Sequence, residues 1–201
     1  MAHPRDDFTT ALVQAQQDGD KLSPQELRDS MALMVFGGFD TTRNQLALAI
    51  RTFAEHPDQW RLLGDNPDLG KAAVEEVMRL NPTTTWVTRE TLVEIDYQGL
   101  VIPAGTTMHI YGEPAGTDPL RFSEPALDIT AEDRPQHFGF GGGRHYCLGH
   151  FIARGDMTEA LKLLAQRLPG LRYAEEPEWL PDSGNTGPVR QVIAWDPEEA
   201  R

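Results

Sequence analysis

The sequence predicts a mainly α-helical fold with a small β-sheet portion, and three observations carry that prediction. A helical pattern opens at Ser23-Pro24-Gln25-Glu26 and runs to about Glu55, unusually long for a globular helix. Two further helical segments each begin with proline, at Pro57 and Pro67. Only residues 85–111 change to short β-rich runs separated by glycine turns. No internal repeat or low-complexity linker interrupts the chain, so residues 1–201 are read as a single domain.

The elements follow in order. Residues 6–17 form a short helix, and Asp18-Gly19-Asp20 a polar turn. Ser23 then caps the long helix, Pro24 takes the first helical position, and Glu26 completes a capping box. His56-Pro57 ends it. Its centre is unusual: Gly37-Gly38 is followed by Asp40-Thr41-Thr42. Two glycines cost about 2 kcal/mol relative to alanine, and threonines can bond back onto the preceding turn and bend a helix. The expectation is a buried helix with a distorted centre. Either two helices cross closely at the glycines, or a groove opens a polar site onto a ligand.

Helices are expected over 57–63 and 67–80. In the second, Glu76 and Arg79 stand at i, i+3 and can pair; by themselves they read as a solvated surface ion pair. Strands are expected over 87–93, 94–97, 100–102 and 106–111, with turns at Gln98-Gly99 and Pro103-Ala104-Gly105. Residues 112–136 are loop-rich, and a loop of that length is usually functional or wraps something. A helix follows over 148–168, ended by Pro169-Gly170. Turns at 181–185 then lead to a last strand over 189–195.

Composition narrows the function classes. Hydrophobic content of 39% and charged content of 24% fit a soluble globular protein. With 18 basic and 31 acidic residues the formal charge is -13, which disfavours nucleic acid and an anionic membrane surface as partners. The longest apolar run, Met31 to Phe39, is too short to span a bilayer. The first residues, MAHPRDDFTT, lack the apolar core of a signal peptide, so a cytoplasmic location is expected. One cysteine allows neither an intramolecular disulfide nor a cysteine-rich zinc site.

That cysteine, Cys147, stands in FGFGGGRHYCLGHF (138–151), where Gly139, Gly141, Gly142, Gly143 and Gly149 crowd around it. Glycine is placed where a backbone turns tightly or approaches something closely. Nucleotide binding is disfavoured, because no complete G-x-G-x-x-G or G-x-x-x-x-G-K-[ST] is present. A nucleophilic thiol paired with His145 or His150 would leave the glycines and Phe140 unexplained. A thiolate ligand to haem iron accounts for the glycines, for Phe140 as an apolar face, for His145 or Arg144 as propionate partners, and for a helix N-terminus beside the sulfur. A buried structural cysteine in a glycine turn stays open beside it.

Phe140, Gly143, His145, Cys147 and Gly149 match F-x-x-G-x-[HR]-x-C-x-G, and the chain resembles the cytochrome P450 family of haem-thiolate monooxygenases, soluble bacterial type. Gly37-Gly38-Phe39-Asp40-Thr41 is similar to that family's oxygen-activating segment, and Glu76-Val77-Met78-Arg79 to its E-x-x-R. The resemblance implies haem b, with Cys147 as axial iron ligand and Phe140, Gly141, Gly149, His145 and Arg89 as further cofactor contacts. It implies Thr41 and Asp40 as the proton-handling pair. Glu76 and Arg79 become a buried pair that locks the loop wrapping the haem, with Arg134 as third partner. Phe39, Thr84, Thr85, Trp86 and Val87, with Met34 and residues 36–38 as further candidates, would line the pocket of a small hydrophobic organic substrate. His150 would be a surface residue of the helix that follows. The implied reaction inserts one atom of O2, with electrons from NAD(P)H delivered by a ferredoxin or flavodoxin. Since members are considerably longer, the resemblance also implies that these residues are the C-terminal, haem-binding part of the fold. The alternative is a truncated, non-catalytic haem-binding fragment or haem-sensing module.

Overall fold

The computed structural model describes residues 4–17, 22–181 and 183–200. The turn expected at Asp18-Gly19-Asp20, and Asp182 within the later turn, lie outside them. The chain forms two compact units, Met1–Asp40 and Thr41–Arg201.

The first unit holds α1 (Phe8–Gln17) and the first part of α2 (Pro24–Ala54). Asp7 caps α1, its Oδ1 accepting from the Thr10 N–H at 2.7 Å. The capping box of α2 is formed: the Glu26 N–H donates to Ser23 Oγ at 3.2 Å, and the Ser23 N–H to Glu26 Oε2 at 2.7 Å. These bonds pull the carboxyls of Asp7 and Glu26 below their ordinary range. The expected distortion does not occur: α2 is α-helical without interruption over 31 residues. Helix formation is cooperative, so the glycine cost is absorbed by the turns on either side. Nor is the centre buried, since residues 31–39 are exposed. No described atom lies within 4 Å of a Cβ built on Gly37 or Gly38, so no close helix crossing occupies them.

The second unit contains the rest of α2, α3 (Pro57–Asp65), a 3₁₀ turn (Pro67–Leu69), α4 (Gly70–Leu80), and β1 (Trp86–Glu90). There follow β2 (Ile95–Tyr97), β3 (Leu100–Ile102), β4 (Thr107–Tyr111), the short α5 (Gly112–Gly116) and α6 (His150–Arg167). The chain ends with β5 (Arg172–Tyr173), β6 (Glu178–Trp179), β7 (Pro188–Arg190) and β8 (Ile193–Ala194). Instead of one small sheet there are two-stranded antiparallel pairs: β1 with β4, β2 with β3, β5 with β8 and β6 with β7. The last strand expected over 189–195 is divided between β7 and β8, which pair with different partners. α5 interrupts what the sequence shows only as loop.

The core joins α2, α3, α4 and α6 through Phe53, Trp60, Leu63, Val77, Met157 and Leu161, all essentially fully buried. Each such side chain contributes about 1.5–3 kcal/mol. Trp60 also donates its indole N–H to the Leu168 carbonyl at 2.8 Å, fastening α3 to the end of α6. Ile129, from the long connection after α5, is inserted in the same core, and its N–H donates to Gln59 Oε1 at 3.0 Å. That connection is therefore packed onto the helices, and it delivers the chain to the cysteine loop.

Candidate functional site

The loop that carries Cys147 is anchored at both ends. At its start the N–H of Gly141 donates to the Phe138 carbonyl at 2.7 Å. Gly139 runs so close to α4 that a Cβ there would lie 2.5 Å from the Met78 carbonyl oxygen, a contact no side chain tolerates. The Phe140 ring is buried in the core. A 3₁₀ turn, Gly143–His145, follows, and the Cys147 N–H donates back to the Phe140 carbonyl at 3.0 Å, closing the loop. α6 begins three residues later.

Cys147 is partly buried against the core, whereas His145 is exposed. Among the described residues, the N–H groups of Leu148 and Gly149 donate to no carbonyl. A thiolate beside them would have two donors at the entrance to a helix. A Cβ at Gly143 or Gly149 would meet nothing within 4 Å, so this side of the loop is open to a flat group. A half-buried thiol, free donors beside it and an open glycine surface fit a haem ligated through Cys147.

Beneath the loop lies a cluster that sequence reasoning missed. Glu75 on α4 receives Arg154 Nε at 2.6 Å and Nη2 at 3.0 Å, and His137 Nε2 at 2.9 Å. His137 Nδ1 accepts the Gly139 N–H at 3.0 Å, so its proton sits on Nε2 and is donated to the carboxylate. Arg154 Nη1 reaches His150 Nδ1 at 2.8 Å and Tyr146 Oη at 3.4 Å, and the guanidinium lies 4.3 Å from the centre of the Phe140 ring. Burial pushes the Glu75 carboxyl up, but the bonds from His137 and Arg154 outweigh it and hold it at about 2. The bond to Glu75 in turn raises the already high pKa of Arg154. His150 is thus no simple surface residue: it is half-buried and its ring packs on those of Tyr146, Phe140 and Phe151. The i, i+4 spacing of His150 and Arg154 was the one local signal of this cluster.

The neighbouring carboxylate faces elsewhere. Glu76 is buried and bound in a fork by Arg79, Nε to Oε1 at 2.8 Å and Nη2 to Oε2 at 2.7 Å. Arg79 also donates to the carbonyls of Gly116 at 2.7 Å, Pro125 at 3.0 Å and Ala126 at 3.0 Å. The reading of this pair as solvated, made from the helix spacing alone, is replaced by a buried one, because α5 and the following connection close over it. Arg134 Nε stands 3.2 Å from Glu76 Oε1; this is an ion-pair contact without hydrogen-bond geometry, as the atom makes no hydrogen bond. Its other nitrogens donate to the Glu124 and Ala126 carbonyls.

The expected pocket segment is split. Strand alternation puts Val87 and Arg89 on one face of β1 and Trp86 on the other. The Arg89 guanidinium donates to the Thr88 carbonyl at 2.8 Å. The Trp86 ring meets His109 edge-on and Tyr111 at a tilt across the ladder, and covers Gly184. Thr84 and Thr85 are joined to the turn at 184–185, the Thr85 N–H donating to the Gly184 carbonyl at 3.0 Å and Thr84 Oγ1 bonding Asn185 Oδ1 at 3.0 Å. The sequence did not reveal this attachment. Asp40 ends the first unit and Thr41 opens the second, consecutive on α2 and both half-buried. Phe39 is exposed. Among the described residues no group of three or more His, Cys, Asp or Glu could hold a metal ion, and no helix is long and apolar enough to cross a membrane.

The sequence profile of the cytochrome P450 family matches residues 68–169. Luteothin monooxygenase of Streptomyces thioluteus is 41% identical over 187 residues, 92% of this chain and 46% of that protein. Nocardicin C N-oxygenase of Nocardia uniformis subsp. tsuyamanensis is 36% identical over 96% of this chain and 49% of its own length. Among solved structures, P450BioI in complex with an acyl carrier protein ligated to hexadec-9Z-enoic acid superposes with a TM-score of 0.88 at 32% identity, over 97% of this chain and 50% of that one. The LnmA cytochrome P450 hydroxylase of Streptomyces atroolivaceus gives a TM-score of 0.85 at 36% identity, over 96% and 51%. The chain spans about half the length of the curated relatives it matches.

Proposed function

Because the chain belongs to the cytochrome P450 family, we propose that it is the C-terminal, haem-binding part of a haem-thiolate monooxygenase, residues 1–201 acting as one domain, in the cytoplasm. The observation that carries this is the Cys147 loop: a half-buried thiol at the entrance to α6, with unbonded N–H groups beside it and an open glycine surface. When bound, haem b would supply the activation of O2 and the insertion of one oxygen atom into a small hydrophobic organic substrate.

The chain's own residues would divide the remaining work. Cys147 binds the iron through its sulfur, and the N–H groups of Leu148 and Gly149 stabilise the negative charge on it. Phe140 supports the loop from the core side, with Gly141 and Gly149 keeping backbone, not side chain, against the cofactor. Arg89 holds a propionate by charge, and His145 one by a hydrogen bond. Thr41 donates a hydrogen bond and holds water, and Asp40 passes protons to it. Glu76, Arg79 and Arg134 keep the wrapping connection in place. Val87 with Thr84, Thr85 and Trp86 contributes to the substrate wall. A ferredoxin or flavodoxin carries the electrons from NAD(P)H.

The test is the carbon monoxide difference spectrum of the reduced, haem-loaded protein. A Soret band at the thiolate position is expected, and Cys147→Ala should abolish it. A band typical of histidine ligation in the unaltered chain would overturn the reading. The alternative is a non-catalytic haem-binding fragment or haem-sensing module without turnover. Supplying the loaded chain with redox partner, NAD(P)H and O2 separates the two: product formation supports the first, and a thiolate band without turnover the second.

A further inference from the structure

The double attachment of Glu75 has a consequence for the ligand loop. One carboxylate on α4 holds the start of the loop through His137, whose other nitrogen takes the Gly139 N–H. The same carboxylate holds the end of the loop through Arg154, which reaches His150 and Tyr146 on either side of Cys147. Arg154 also covers Phe140, the residue whose carbonyl takes the Cys147 N–H. A guanidinium can make this set of contacts because its donors form a rigid planar fork and its face can lie on a ring. An ammonium at the same place carries its three donors on a single nitrogen, so it could neither span these partners nor lie flat on the ring.

We propose that Arg154, clamped by Glu75, is a positioning residue that presets the Cys147 loop for metal ligation before any cofactor arrives. In its absence the two legs of the loop lose their common tether and the thiol samples orientations that do not present sulfur to iron. The inference rests on the haem-thiolate reading, but its first readout does not. Cys147 is the only cysteine of these 201 residues, so its alkylation in the haem-free chain reports the accessibility of that one loop.

The experiment compares Arg154→Leu, Arg154→Lys and Glu75→Gln with Leu161→Ala, a core variant that lowers Tm and removes none of the cluster's hydrogen bonds. Arg154→Leu should raise the alkylation rate about tenfold, the scale set by losing charge-assisted hydrogen bonds. It should also move part of the reduced carbon monoxide spectrum away from the thiolate position. Glu75→Gln, which keeps the side-chain shape, should do the same to a smaller degree, and Arg154→Lys should restore the spectrum in part. Leu161→Ala should leave both readouts unchanged at a matched loss of Tm. If the cluster variants move alkylation and spectrum no more than Leu161→Ala does, the positioning role is overturned. Should Arg154→Leu not fold, the near-isosteric Glu75→Gln decides on the same two readouts. If the unaltered chain shows no thiolate band, the haem-thiolate reading fails, while the alkylation comparison still decides whether Arg154 presets the loop.

Discussion

Arg79 uses its guanidinium completely, donating to both Glu76 oxygens and to the Gly116, Pro125 and Ala126 carbonyls. Lysine at this position would leave several of these buried acceptors without a donor. Arg79→Lys keeps the charge but loses the fork, and is therefore expected to cost about 1–3 kcal/mol, the range for leaving buried acceptors unsatisfied, read as a lower urea midpoint. Gly116 and Gly139 are fixed by close approach. A Cβ on Gly116 would fall 2.0 Å from the Arg79 carbonyl oxygen, which explains why a side chain is missing there. Gly139→Ala should destabilise by about 1–3 kcal/mol through overpacking against Met78, and the same titration measures it. The motif spacing made Cys147, Glu76 and Arg79 legible as candidates. It said nothing of Glu75, which differs from Glu76 only in the direction it points.

At the scale of elements, local chemistry was read well where it is local. The capping box at Ser23 and Glu26 stands as the sequence implies, and the prolines at 57 and 67 open their helices. Ser23→Ala should lower the stability of the start of α2 by about 1 kcal/mol, visible as reduced helical ellipticity or faster amide exchange over residues 25–28. Leu161 on α6 is fully buried in the core. Leu161→Ala should cost about 2–5 kcal/mol by transfer and cavity terms together, read by thermal or urea unfolding. The short pairs β5–β8 and β6–β7 were not legible, since two or three residues carry no alternation that stands out from a loop. The centre of α2 stays helical where glycine propensity argues for distortion, because the cooperativity of a 31-residue helix prevails.

For the whole molecule, the acid limb of stability should carry the signature of Glu75, faced by His137 from the connection and Arg154 from α6. Its pKa is about 2 in the folded chain against an ordinary 4.5. A depressed folded pKa adds stability above the unfolded value, and that stability is lost as pH falls from about 4.5 to about 2. Glu75→Gln should flatten this part of the stability profile; urea midpoints across the acid range provide the test. Large apolar side chains at Leu33, Val35, Phe36 and Phe39 are 61–75% exposed. Such a run favours association, so Phe36→Lys with Phe39→Lys should lower the associated fraction in sedimentation velocity.

The sequence alone determined what depends on neighbours along the chain: helix starts, turns, and the spacing of a thiol among glycines before a helix. Only the tertiary structure decided which carboxylate serves which part of the molecule. Glu75 and Glu76 are adjacent, about 100° apart around α4. Glu76 meets Arg79 and the connection that closes over it, while Glu75 meets His137 and Arg154, 62 and 79 residues away in sequence. Bonds over such separations leave no periodicity behind. They exist only once α4, the connection and α6 have packed, and that packing is also what closes the loop around Cys147.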